Sequence, residues 1–218
     1  MTDQLQVSPL YAGVVGQAAA VANLRAAARA PVHAYLLVGQ AGTGVREAAR
    51  AFAADVLCAA AGCGVCRSCA NALAERHPDL VFVERSGASI RVQEIDEVIR
   101  LASRPPSEGC FKVIALVDFH LVDQHYARLL KTLEEPPPST VFLVLAEQVP
   151  PELVTIASRC VRIDFAAVPA EVITSVLVSE GTHPALAEEV ALAAAGRLDR
   201  ARLLAADPGF SGRRAAWC

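Results

Sequence analysis

Ala34-Tyr35-Leu36-Leu37-Val38-Gly39-Gln40-Ala41-Gly42-Thr43-Gly44-Val45-Arg46 is the stretch on which the reading of this chain turns. Five apolar residues bounded by glycine read as a buried strand. Gly39, Gly42 and Gly44 then make a turn, and helical spacing begins at Val45. Strand, glycine-rich turn and helix N-terminus form the setting in which backbone N–H groups wrap a phosphate. A working loop of this kind also needs Lys to reach the β/γ-phosphates and Ser or Thr to hold magnesium. Those two places hold Val45 and Arg46. The expectation is a degenerate phosphate cradle. The alternative is a tight turn with no ligand.

Similar apolar runs lie at 80–83, 112–117, 140–145 and 160–165, bounded by Gly, Pro, Asp or Ser. Alanine-rich stretches with helical spacing separate them, at 17–28, 45–58, 92–103 and 123–135. This alternation predicts an α/β fold with a parallel sheet flanked by helices on both faces. From Pro169 onward the periodicity is helical only, over 169–179, 184–195 and 198–205. Pro169 and Pro184 suit first helical turns, and Gly181 and Gly196 suit helix ends. The expected organisation is a domain over 1–166 and a small all-helical lid domain over 167–218. The tail 208–218 shows no periodicity.

The third strand ends in Asp118-Phe119. An ATP-hydrolysing site would carry two acids there, one for magnesium and one to polarise water. Phe119 can do neither. Asp118 is left as a degenerate remnant or an ordinary strand-end acid. Ala146 stands where a polar residue would touch a γ-phosphate. The expectation is that the chain does not hydrolyse ATP and binds little or none.

Cys58, Cys63, Cys66 and Cys69 fall within twelve residues, with Gly62 and Gly64 among them. Four thiolates so close suit a closed, structural, tetrahedral zinc site. Four unrelated thiols are the alternative. The odd total of seven cysteines argues against a disulfide framework, as does the absence of a signal-peptide pattern. No apolar run is long enough to span a membrane. The chain is expected to be cytoplasmic, with no membrane partner. A net charge of −3 gives no footprint for autonomous DNA binding.

Several segments together resemble one family. His33–Gly39 resembles the first strand and loop of bacterial DNA polymerase III clamp-loader subunits, which are AAA+ proteins. The cysteine insertion at about 58–79, leaving through His77-Pro78-Asp79, resembles their zinc module. Leu129-Leu130-Lys131-Thr132-Leu133-Glu134-Glu135-Pro136-Pro137 and Ser158-Arg159-Cys160 resemble two further motifs of that family. Val45, Arg46 and Phe119 group the chain with the delta-prime type, which lacks ATP-hydrolysing residues. The resemblance implies that Arg159 is an arginine finger acting in trans on a neighbour's ATP, in a turn shaped by Ser158 and Cys160. It also implies partners: the loader's ATPase subunits and delta subunit, the sliding clamp, and primed DNA through the complex. The chain would then be an accessory subunit of a DNA-directed DNA polymerase (nucleotidyltransferase) holoenzyme. The resemblance also implies a third, helical collar domain in the family, which is expected to lie outside this sequence.

Two other readings stay open. One is an ATPase active in its own right, and the other is a zinc-dependent nucleic-acid binder. Glu134 and Glu135 also break a local rule, because carboxylates at a helix C-terminus oppose the macrodipole. They are expected either to meet a cationic element, such as one at a subunit interface, or to be solvated.

Overall fold

A computed structural model describes residues 9–122, 127–207 and 209. The first part of the helix expected over 123–135 and nearly all of the tail, including Cys218, lie outside the described residues.

Five strands form one parallel sheet: β1 (Ala34–Val38), β2 (Leu80–Val83), β3 (Lys112–Leu116), β4 (Thr140–Ala146) and β5 (Val161–Asp164). Their order across the sheet is β2-β3-β4-β1-β5. Every residue of β1, β3 and β4 is buried, as continuous apolar runs require when both faces are covered. β5, at the edge beside β1, buries only Ile163. All five sequence-expected strands are present, with ends that differ by one residue or none.

Alternate residues of each strand serve opposite faces. Tyr35 and Leu37 join Val113, Val141 and Leu143 in a core beneath α1 (Ala18–Ala28) and α2 (Val45–Leu57). Leu36, Ile114, Phe142 and Val144 face the other way. They pack beneath α4 (Val92–Ala102), α5 (Ala127–Glu134) and the short α6 (Val154–Ala157). The helix α3 (Arg67–Leu73) lies within the cysteine insertion and adds Cys69 and Ala72 to the first core. Residue spacing alone predicts only a glycine-rich turn there. A third core, built on Ile173, Leu177, Val190 and Ala201, joins α7 (Ala170–Ser179), α8 (Pro184–Ala193) and α9 (Leu198–Ala205).

Gln17 ties these parts together. Its buried amide donates to the Thr43 and Ala166 carbonyls and accepts from the Ala166 N–H. One side chain thus links the glycine-rich loop to the segment that enters the helical region.

Lys112 is the unexpected residue of β3. It is buried, and its ammonium donates to the carbonyls of Leu101, Arg104 and Pro105 at 3.0–3.2 Å. Arg104 and Pro105 lie just beyond the C-terminus of α4, and the Leu101 carbonyl also accepts the Arg104 N–H at 3.3 Å, so Lys112 closes the turn that follows the helix. Lys112→Met should lower unfolding free energy by about 1–3 kcal/mol, because it removes the hydrogen bonds of a charged donor to part-buried carbonyls. Relief of the ammonium's own desolvation offsets part of that loss. Urea unfolding measures the change. An unchanged midpoint would mean that water reaches those carbonyls.

Candidate functional site

The glycine-rich loop lies at the C-terminal end of β1. Gly39 N–H donates to the Ala146 carbonyl at 3.0 Å, which fixes the loop to the end of β4. Gly42 and Gly44 have φ of 78° and 95°, and Gly44 is the N-cap of α2. Gly42 is also crowded: a Cβ there would sit 1.8 Å from an Asp199 carboxylate oxygen. The loop, Asp118 and Ala146 surround one cavity of about 270 Å³. The sequence-expected cradle residues are therefore together.

The residues that complete this cavity are acids. Glu147 accepts the Ala41 N–H at 3.0 Å, so a carboxylate occupies a donor that a phosphate oxygen would use. Asp199, from α9, packs on Gly42, and the Leu198 N–H donates to the Gly42 carbonyl at 2.9 Å. Hydrogen bonding to Arg197 holds the Asp199 carboxyl below the usual carboxylate range. Glu47 and Asp118 also line the space. Asp118 is in a left-handed backbone conformation (φ 53°) and pairs with Arg85 at 3.3 Å. Phe119 is fully buried in the core below and takes no part in the cavity.

Arg46 also lines the cavity, but its charge is already matched. It makes a two-point contact with Glu75 (2.8 and 2.6 Å), a bridge to Glu84 (2.7 Å) and a stack on Phe82 at 4.9 Å. Hydrogen bonding to Arg46 lowers the Glu75 carboxyl in turn. A phosphate entering this space would meet four carboxylates and an arginine committed to two others. Glu147, Asp199 and Arg85 were not singled out in the sequence, since no local spacing links them to the loop.

The cysteine cluster is the second site. Cys58 caps the end of α2, Cys66 caps the start of α3, and Cys69 is fully buried on α3. The four sulfur atoms lie within 4.8 Å of one another. Cys58 Sγ is 3.7 Å from Cys63 Sγ and 3.8 Å from Cys66 Sγ. A tetrahedron with zinc–sulfur bonds of about 2.3 Å has edges of about 3.8 Å, so this donor set fits a metal such as zinc. Burial opposes ionisation of Cys58, yet N–H groups of Cys63 and Ala60 and the neighbouring thiols bring it down to about 6. Burial raises the Cys69 thiol. A bound cation would supply the charge that ionises it.

Arg159 is the third. It follows α6 in the turn that leads into β5. Its Nε and Nη2 meet Glu134 Oε1 at 2.9 and 2.5 Å. Its Nη1 donates to the Thr155 carbonyl (2.7 Å) and to Ser158 Oγ (3.3 Å). Ser158 Oγ donates in turn to the Thr155 carbonyl at 2.9 Å. Burial pushes the Cys160 thiol up to about 11, which suits a packing role in that turn. The cationic partner of Glu134 is thus an arginine of the same chain.

A parallel sheet of this order with a glycine-rich loop after β1 defines an AAA+ type of chain. Residues 16–169 match the family model described as DNA polymerase III, delta subunit. The delta-prime subunit of Pseudomonas aeruginosa is 39% identical over 137 residues, covering 60% of this chain and 42% of that one. The tau subunit of Escherichia coli is 35% identical over 170 residues, covering 74% and 26%. This chain therefore spans less than half the length of either relative. A gamma subunit-related protein of Thermotoga maritima superposes with a TM-score of 0.58 at 20% identity, covering 84% and 57%, and shares the fold. The chain belongs to the DNA polymerase III, delta subunit family. Among the described residues no helix is long and apolar enough to cross a membrane.

Proposed function

We propose that this chain is a non-hydrolysing subunit that completes a neighbour's ATP site with Arg159 and so takes part in loading the sliding clamp onto primed DNA. Residues 1–166 act as the nucleotide-binding-like domain and 167–218 as its lid, with the four cysteines holding structural zinc. One observation carries the reading. The cavity lies at the C-terminal ends of β1, β3 and β4, whereas Arg159 precedes the N-terminal end of β5. β5 runs parallel to β1, with Val161 beside Tyr35. Four strand residues at about 3.3 Å each separate the arginine from the loop end of the sheet. Arg159 is therefore badly placed for its own cavity and well placed to serve another chain's phosphate.

The chain alone should turn over no ATP. Adding it to the loader's ATPase subunits, with clamp and primed DNA, should raise their turnover. ATP hydrolysis by the chain alone, abolished in Asp118→Ala, would make it an ATPase in its own right and overturn the proposal.

A further inference from the structure

We infer that Glu134 is the positioning residue of Arg159, holding the guanidinium in place before any neighbour arrives; this rests on reading Arg159 as a trans arginine finger. The two residues come from separate motifs. Glu134 is the last residue of α5, and Arg159 stands 25 residues later, between α6 and β5. Both lie at the end of the sheet away from the cavity, since α5 leads into the start of β4 and Arg159 into the start of β5.

The guanidinium is gripped from several directions. Glu134 takes Nε and Nη2, while the Thr155 carbonyl and Ser158 Oγ take Nη1. The arginine side chain nevertheless remains 32% exposed, and Glu134 47% exposed. It is therefore ordered yet reachable from outside. A free arginine must lose much rotamer freedom when it docks on a phosphate. One already fixed avoids that loss, which is the general advantage of preorganised electrostatic groups. The grip also accounts for a carboxylate at a helix C-terminus, where the backbone dipole disfavours it. A local rule is broken where function requires it.

The test uses the chain assembled with the loader ATPase subunits of its own organism, clamp and primed DNA. Glu134→Gln should lower kcat for ATP by about three- to tenfold, the effect of freeing one long side chain, with KM and assembly unchanged. Glu134→Asp should recover part of the loss. In an Arg159→Ala background Glu134→Gln should do nothing further. If Arg159→Ala is strongly impaired while Glu134→Gln matches wild type, the inference fails and the finger reading survives. If Arg159→Ala itself has no effect, both fall. If the Glu134→Gln defect persists without Arg159, the carboxylate acts elsewhere and the inference again fails. Should the variants not assemble, NMR of the chain alone decides. The Arg159 Nε–H should be ordered in wild type and mobile in Glu134→Gln, and mobility already present in wild type would overturn the proposal.

Discussion

Replacing Arg159 with alanine in an assembled loader should leave the complex intact and all but silence the one ATP site that the arginine completes. An arginine supplied to a transferring phosphoryl group is worth about 10³–10⁵ in rate. Total turnover would fall less, because sites completed by other subunits continue. The effect is therefore best read by single-turnover kinetics, with nucleotide bound at the affected interface. Arg159→Lys should rescue little. A compact ammonium lacks the planar fork that meets phosphate oxygens in two places, and it would also lose the contacts to Glu134 and the Thr155 carbonyl. Full activity in Arg159→Lys would mean that only a point charge is needed. Unchanged single-turnover rates in Arg159→Ala would make the residue a structural clasp for α5 and leave the chain without a catalytic contribution.

The second large effect is expected from removing metal. A strong chelator should release one zinc per chain and lower the thermal midpoint by tens of degrees. Structural zinc binds zinc-finger peptides with an apparent free energy of about 10–16 kcal/mol. Even a loss of about 5 kcal/mol moves the midpoint of a chain of this size by roughly 10–20 °C. The loss should not stay local, because Cys58 and Cys69 belong to the same core as Phe52, Leu80 and Val113. Cys69→Ser should be more damaging than Cys63→Ser, since Cys69 is fully buried and Cys63 is only partly so. Metal analysis and calorimetry check both points. Zinc-free protein with an unaltered midpoint would make the thiols an incidental cluster.

The sheet was legible because its strands obey one local rule. Runs such as 34–38 and 140–145 are apolar without alternation, and only a strand covered on both faces tolerates that. The glycine-rich loop and the four cysteines were likewise written in short spacings. α3 was not, because the spacing that marks a candidate metal site hides a seven-residue helix whose N-cap is Cys66, one of the four cysteines. What the loop lacks could be read directly at Val45 and Phe119. What fills it could not: Glu147 reaches Ala41 across 106 residues, and Asp199 reaches Gly42 from the last helix. Arg46 stands where such a loop needs Ser or Thr, but no spacing shows that Glu75 and Glu84 surround it. Glu134 stood out as a broken rule, but its partner Arg159 is separated from it by a strand and a helix. Such pairings are set by the tertiary fold, and no helical or strand period records them.

The strand order has a consequence for how the chain is made. β1 lies between β4 and β5, and its register partners begin at Phe142 and Val161. The ribosome must therefore add more than a hundred residues after Ala34 before β1 can pair on either side. At about 5–20 residues per second, that interval is roughly 5–20 s. Throughout it Tyr35, Leu36 and Leu37 have no strand partner, and slow closure of distant contacts is when chains aggregate. What shields Ala34–Val38 during synthesis therefore bears on how much of the chain reaches its folded state.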